Sequence, residues 1–153
     1  MSKTVAQVMT PSPITVTPET PLQEAIALLV KHKISGMPVV NAKGEVVGVI
    51  SESDLMWRET GVEPPPYIMI LDSIIYLQNP ARYEQLLKKA LGQTVADVMT
   101  PNPITVTSNQ SVKEAARILH QKNIRRLPVV DENNRVVGII TRGDIVRCLA
   151  ESE

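Results

Sequence analysis

Val8-Met9-Thr10-Pro11, followed by Pro13-Ile14-Thr15-Val16, returns ninety positions later as Val98-Met99-Thr100-Pro101 and Pro103-Ile104-Thr105-Val106. Outward from these stretches the register holds without a gap. Glu24-Ala25 returns as Glu114-Ala115, Pro38-Val39-Val40 as Pro128-Val129-Val130, and Val46-Val47-Gly48 as Val136-Val137-Gly138. Ser51 and Asp54 recur as Thr141 and Asp144. Two like units in one unbroken register are expected to pack as a pseudo-twofold pair, and the clefts along such an axis are natural small-ligand sites.

Each unit reads strand–helix–strand–strand–helix. Ile14-Thr15-Val16 is a short β-branched run, and Thr20-Pro21 suggests an N-cap followed by the first helical residue. Leu22, Ala25, Ile26, Leu29 and Val30 recur at helical spacing. Met37 to Val40 and Val46 to Ile50 read as strands around the turn Asn41-Ala42-Lys43-Gly44, and a second helix opens at Ser51. In the second unit Ser111 and Glu114 suggest a capping box ahead of Val112, Ala115, Ala116 and Leu119. The fold class is therefore α/β (α+β): two βαββα repeats related by a pseudo-twofold axis, with small sheets flanked by helices. Residues 1–60 form the first repeat and 93–153 the second. Residues 61–92 join them, with an apolar run from Tyr67 to Leu77 and a helix expected from Asn79-Pro80 to about Leu91.

The composition narrows the function. The chain has 153 residues, 43% of them apolar, with 16 basic residues balancing 16 acidic ones. No basic face is evident, which argues against a nucleic-acid partner held by phosphate neutralisation. Arginine is unevenly distributed: Arg58 is alone in the first repeat, whereas Arg117, Arg125, Arg126, Arg135, Arg142 and Arg147 lie in the second. The single cysteine, Cys148, rules out an intrachain disulfide and reads as packing. His32 and His120 hold matching places late in a helix, with no acidic residue or cysteine at ligand spacing, so no metal is expected. There is no basic-then-apolar leader pattern, and Tyr67 to Leu77 is too short to span a bilayer. The expectation is a cytoplasmic protein without a membrane partner.

Two stretches could carry chemistry, Ser51-Glu52-Ser53-Asp54 and Thr141-Arg142-Gly143-Asp144. A hydroxyl residue followed three positions on by an acid is an ordinary helix start. It is also an arrangement in which helix-terminal amides meet a phosphate while the carboxylate accepts from a vicinal diol, as in a nucleotide. No P-loop, nucleophile elbow or paired carboxylate is present, so no enzyme activity is expected.

The ordered set of these motifs, occurring twice, resembles a cystathionine-β-synthase (CBS) domain. Two in tandem, over roughly residues 4 to 59 and 94 to 150, resemble a Bateman module. The resemblance implies a non-catalytic regulatory module that binds AMP, ADP or ATP between the repeats and signals energy state to a partner. It implies no cofactor beyond such a regulatory ligand, and a homodimer as the assembly. Asp144 with Thr141, and Asp54 with Ser51, match the family's ribose and phosphate positions. For the Asp144 site the resemblance adds Thr4, Met9, Pro13, Ile14, Ile34, Ser35, Gly36 and Met37. For the Asp54 site it adds Thr94, Met99, Pro103, Ile104 and Ile124. Arg125 and Arg126 match basic phosphate ligands and are assigned to the Asp144 site, with Arg126 in reach of both; Arg142 is a lesser candidate. The Asp54 site then lacks an arginine of its own. Two alternatives stay open: an interaction module with empty clefts working through segment 61–92, and a sensor of S-adenosylmethionine or a cyclic dinucleotide.

Overall fold

Each repeat opens with a short helical turn that the hydrophobic periodicity does not announce. The computed structural model describes residues 3–60, 67–70, 73–76 and 94–151. The turn α1 (Val5–Val8) leads into β1 (Thr10–Pro11). Helix α2 (Leu22–His32), the strands β2 (Gly36–Val40) and β3 (Val46–Ser51), and helix α3 (Glu52–Thr60) follow. A hairpin of β4 (Tyr67–Ile70) and β5 (Ser73–Tyr76) comes next, with Tyr67 opposite Tyr76. The second repeat runs α4 (Val95–Val98), β6 (Thr100–Pro101), β7 (Val106–Thr107), α5 (Val112–Gln121), β8 (Arg126–Val130), β9 (Val136–Thr141) and α6 (Arg142–Glu151). The helix expected over 79–91 lies outside the described residues, as do the side chains of the apolar run.

The opening segments cross over. β1 pairs antiparallel with β9 of the second repeat, giving the sheet order β1-β9-β8-β7, and β6 pairs with β3 of the first, giving β2-β3-β6. The cores follow the same exchange. Val5 lies in one core with Val106, Val112, Leu119, Leu127, Val129 and Ile140. Val95 and Val98 lie in the other with Val16, Leu22, Leu29, Met37, Val39 and Ile50. The main chain secures the crossing: Val5 donates to the Gln110 carbonyl at 2.8 Å, and Val95 to the Thr20 carbonyl at 2.9 Å. Gly48 lets β6 approach, because a Cβ there would sit 2.6 Å from Met99 Sδ and 3.0 Å from the Thr100 carbonyl oxygen. Each repeat thus completes the other's core, so neither buries its apolar surface alone.

The two hairpin turns meet on the axis. Val46 donates to the Asn134 carbonyl at 3.0 Å and Val136 to the Gly44 carbonyl at 3.1 Å. Cys148 is buried in the second repeat's core, and His32 and His120 stand in the last turns of α2 and α5. Among the described residues no helix is long and apolar enough to cross a membrane.

Three local expectations are revised. Ile14-Thr15-Val16 is not a strand; only Val16 bridges, in parallel, to Val39. Pro21, not Thr20, is the N-cap of α2, and the Thr20 hydroxyl oxygen accepts from the Thr17 amide at 3.0 Å instead. At α5 the Ser111 hydroxyl oxygen accepts from the Glu114 amide at 3.0 Å, the half of the expected capping box that runs from side chain to helix. Ser111→Ala is expected to cost about 1 kcal/mol, read as a shift in the urea midpoint at unchanged slope.

Candidate functional site

The junctions from β3 into α3 and from β9 into α6 are built alike. β3 ends at Ser51 and α3 starts at Glu52; β9 ends at Thr141 and α6 starts at Arg142. The aspartate two residues into each helix folds back on its own start. Asp54 Oδ2 accepts from the Ser51 amide at 3.0 Å, and Asp144 Oδ2 from the Thr141 amide at 2.8 Å. Thr141 Oγ1 in turn accepts from the Asp144 amide at 3.1 Å. Each carboxylate is about 95% buried, with 5% of its residue surface exposed. Its second oxygen meets a cleft residue: Asp54 Oδ1 accepts from Thr100 Oγ1 at 3.0 Å, and Asp144 Oδ1 pairs with the Arg147 guanidinium. Contact with the helix start and contact with a cleft residue are therefore carried by different oxygens of one side chain.

Each aspartate lies at a cleft between the repeats, and the two clefts have volumes of about 400 and 470 Å³. Both fall within the roughly 300–1,000 Å³ typical of small-molecule sites. The first gathers Ser51, Asp54, Pro103, Ile104, Ile124, Arg125 and Arg126, together with Val49, Ser53, Thr100, Asn102 and Asn123. The second gathers Thr141, Asp144, Pro13, Ile14, Ile34, Ser35, Gly36 and Arg126, together with Thr10, Ser12, Lys33, Pro38, Ile139 and Arg147. The crossed opening segments line both.

This placement corrects the arginine assignment. Arg125 lines the Asp54 cleft, not the Asp144 cleft, and Arg126 lines both, so the Asp54 cleft does not lack arginine. The reason is the crossing. The segment leading from α5 into β8 (Ile124-Arg125-Arg126) faces the first repeat's junction, just as Ile34-Ser35-Gly36 faces the second's. Arg125 stands 3.9 Å from Glu52 across this boundary. Arg142 lines neither cleft; its guanidinium donates to the carbonyls of Ile124, at 2.8 Å, and Leu119, at 3.3 Å, closing the C-terminal end of α5.

Five further expected residues line neither cleft. Met37 is fully buried in the first core. Met9 and Met99 pack against the core of the opposite repeat. Thr4 and Thr94 hold the starts of α1 and α4, where their main chains bridge to Ser111 and Pro21. Several lining residues escaped the sequence reading. Thr10 and Thr100 line the clefts from inside the Val-Met-Thr-Pro stretch, each next to a methionine that packs against the core instead. Ser12, Asn102, Lys33 and Asn123 all have positive φ, between 46 and 54°, and all line a cleft. Non-glycine residues adopt that conformation rarely, and asparagine at two of the four positions was the available signal.

The electrostatics centre on Arg126. Burial draws its guanidinium pKa below the ordinary arginine value; Glu52 raises it, Arg125 lowers it and Asp54 raises it. The Asp144 cleft adds Lys33 and Arg147, and the Asp54 cleft adds Arg125. Each cleft therefore offers a buried carboxylate at a helix start, apolar Ile and Pro side chains, and cations. That set matches the diol, base and phosphate of a nucleotide.

Comparison with known proteins places this geometry. The CBS domain profile matches residues 5–59 and again 95–151. The chain is 35% identical over 148 residues to the chloroplastic CBS domain-containing protein CBSX2 of Arabidopsis thaliana, covering 94% of this chain and 62% of that protein. For the related CBSX1, the share of that protein is 57%. It is also 35% identical over 144 residues to the protein MJ1426 of Methanocaldococcus jannaschii, covering 90% of this chain and 86% of that one. Among solved structures, CBSX2 in complex with AMP superposes with a TM-score of 0.82 at 35% identity, covering 98% of each chain. The CBS domain pair of MJ0100, in complex with 5′-methylthioadenosine and S-adenosyl-L-methionine, gives 0.75 at 27% identity, covering 100% of each. On the doubled motif, the crossed sheets and the matching profile, the chain belongs to the CBS domain family, as a tandem pair.

Proposed function

We propose that the chain is a non-catalytic regulatory module that binds an adenosine phosphate, with AMP the first choice, in the clefts between its repeats. The observation that carries this reading is the presence, in each cleft, of a buried aspartate at a helix start together with arginine: Arg125 and Arg126 from the opposite repeat beside Asp54, and Arg126 and Arg147 of its own repeat, with Lys33 from the other, beside Asp144. The carboxylate suits the ribose diol, the arginines suit phosphate, and Ile104 with Ile124, or Ile14 with Ile34, suits the purine faces. The AMP complex of CBSX2 supports the same ligand class. S-adenosylmethionine is the second reading, supported by the MJ0100 complex, and it keeps the diol and base while dispensing with the phosphate. Binding biases one arrangement of the repeats, which a regulated protein reads, provided the two arrangements differ in affinity for the ligand. A homodimer is the proposed assembly. Val30 on α2, and Val146 and Leu149 on α6, are exposed at 74, 63 and 68%, and these are apolar helical positions that a second copy would cover.

The test is thermal unfolding with AMP, ADP, ATP, S-adenosylmethionine and cyclic di-AMP in turn, for wild type, Asp54→Ala and Asp144→Ala. A ligand at a hundred times its Kd stabilises the folded state by about 2.7 kcal/mol. The expected result is a raised midpoint with an adenosine phosphate that shrinks in each variant. No shift with any of the five at millimolar concentration overturns the reading and favours a protein-interaction module.

A further inference from the structure

The pseudo-twofold pattern fails at one position inside the clefts. Gly36 in the first repeat corresponds to Arg126 in the second, so one side chain serves where symmetry would place two. Arg126 is the only residue lining both clefts among those described. Its Nη2 donates to Ser35 Oγ at 2.7 Å, on the Asp144 side. Its guanidinium lies over Gly36, where a Cβ would stand 2.6 Å from Nε and 2.7 Å from Cζ. Glu52 and Asp54, on the other side, act on the same charge. The remaining cations are private: Arg125 belongs to the Asp54 cleft, and Lys33 and Arg147 to the Asp144 cleft.

We propose that Arg126 couples the two clefts negatively, so that a phosphate bound in either one draws the guanidinium to itself and weakens phosphate binding in the other. This rests on the clefts being nucleotide sites, and it concerns how their occupancy is regulated. A guanidinium presents one planar fork that satisfies a single phosphate bidentately, and its unit charge, once neutralised, no longer attracts a second anion. The site is partly buried, so solvent screens this competition less than it would at an exposed surface. Losing one charge-assisted hydrogen bond at the second step weakens binding by on the order of tenfold. Linkage makes the effect reciprocal, whichever cleft fills first. The module would then respond over a wider range of ligand concentration than two independent sites.

Calorimetric titration of the full chain with AMP separates coupling from any intrinsic difference between the clefts. Asp54→Asn and Asp144→Asn each leave one working cleft, and asparagine retains an oxygen that can cap the helix. Their two dissociation constants, multiplied together, define independent binding. In wild type the product of the two stepwise constants is expected to be about tenfold larger. In Arg126→Ala the corresponding products should agree, although each site binds AMP more weakly. Adenosine, which lacks the phosphate, should show no coupling in wild type. Equal products for AMP in wild type, a product smaller than the independent value, or coupling that survives Arg126→Ala overturns the inference. So does AMP that occupies one and the same cleft in every variant that binds it. Those results leave the nucleotide-binding reading intact; absence of AMP binding in all forms overturns that reading as well.

Discussion

Val5→Asp is expected to unfold the second repeat, although Val5 belongs to the first in sequence. Its side chain is fully buried among Val112, Ala115, Leu119, Leu127 and Ile140, and its amide is held by the Gln110 carbonyl. An aspartate there either buries an unpaired charge or draws α1 out of the core and opens a hole. Either outcome costs several kcal/mol. Whole domains are stable by only about 5–15 kcal/mol, so the loss takes a large share of the total. Native-state hydrogen exchange is the decisive readout, because it reports protection strand by strand. Amides of β8 and β9 should lose protection along with those of α1. Unchanged protection in β8 and β9, with fraying confined to the first ten residues, would sink the crossed packing. Val95→Asp should act in mirror image on β2 and β3, since Val95 is equally buried in the opposite core.

Leu127→Ala is expected to be the second large effect, at about 2–5 kcal/mol, the range for emptying a close-packed leucine site. Leu127 is fully buried, and it sits on β8 beside Arg126, with Ile140 opposite it in the sheet. The pairing of Leu127 with Ile140 and of Arg126 with Thr141 ties this strand to the junction that carries Asp144. The cavity therefore forms next to the residues that position the cleft. Urea unfolding should show a lower midpoint with little change in slope. AMP at a hundred times the variant's own Kd should return about 2.7 kcal/mol. A loss below about 1 kcal/mol would mean that the surrounding side chains collapse into the space, and that β8 is less tightly fixed than its burial implies.

The two substitutions divide what could be read from the chain by itself from what could not. The continuous apolar runs at Met37–Val40 and Leu127–Val130, and the helical spacing of Leu22, Ala25 and Leu29, are local patterns, and they appear as β2, β8 and α2. Thr20 is a different case. Its type favours an N-cap, but the turn at Thr17 competes for the same hydroxyl and wins. Ile14-Thr15-Val16 has strand propensity, yet only one residue bridges, because β propensity depends on the neighbours a strand finds.

The site divides in the same way. Asp54 and Asp144 were legible because the spacing from hydroxyl to acid is a within-chain signature of a helix start. The ownership of Arg125 was not, because adjacency in sequence says nothing about which side of a pseudo-twofold axis a loop will face. Thr100 on Asp54, and Arg126 on Ser35, are contacts between residues 46 and 91 positions apart. Readable from the chain alone were the two repeats, the strands and helices within each, and an aspartate at the start of each last helix. The first follows from the ninety-position offset, and the others from patterns within a few turns of chain. That each opening segment completes the other repeat's core, and that Arg126 stands between both clefts, emerges only from the packing of the two repeats. Those outcomes depend on which apolar faces and main-chain groups satisfy one another across the axis, and no local pattern encodes that choice.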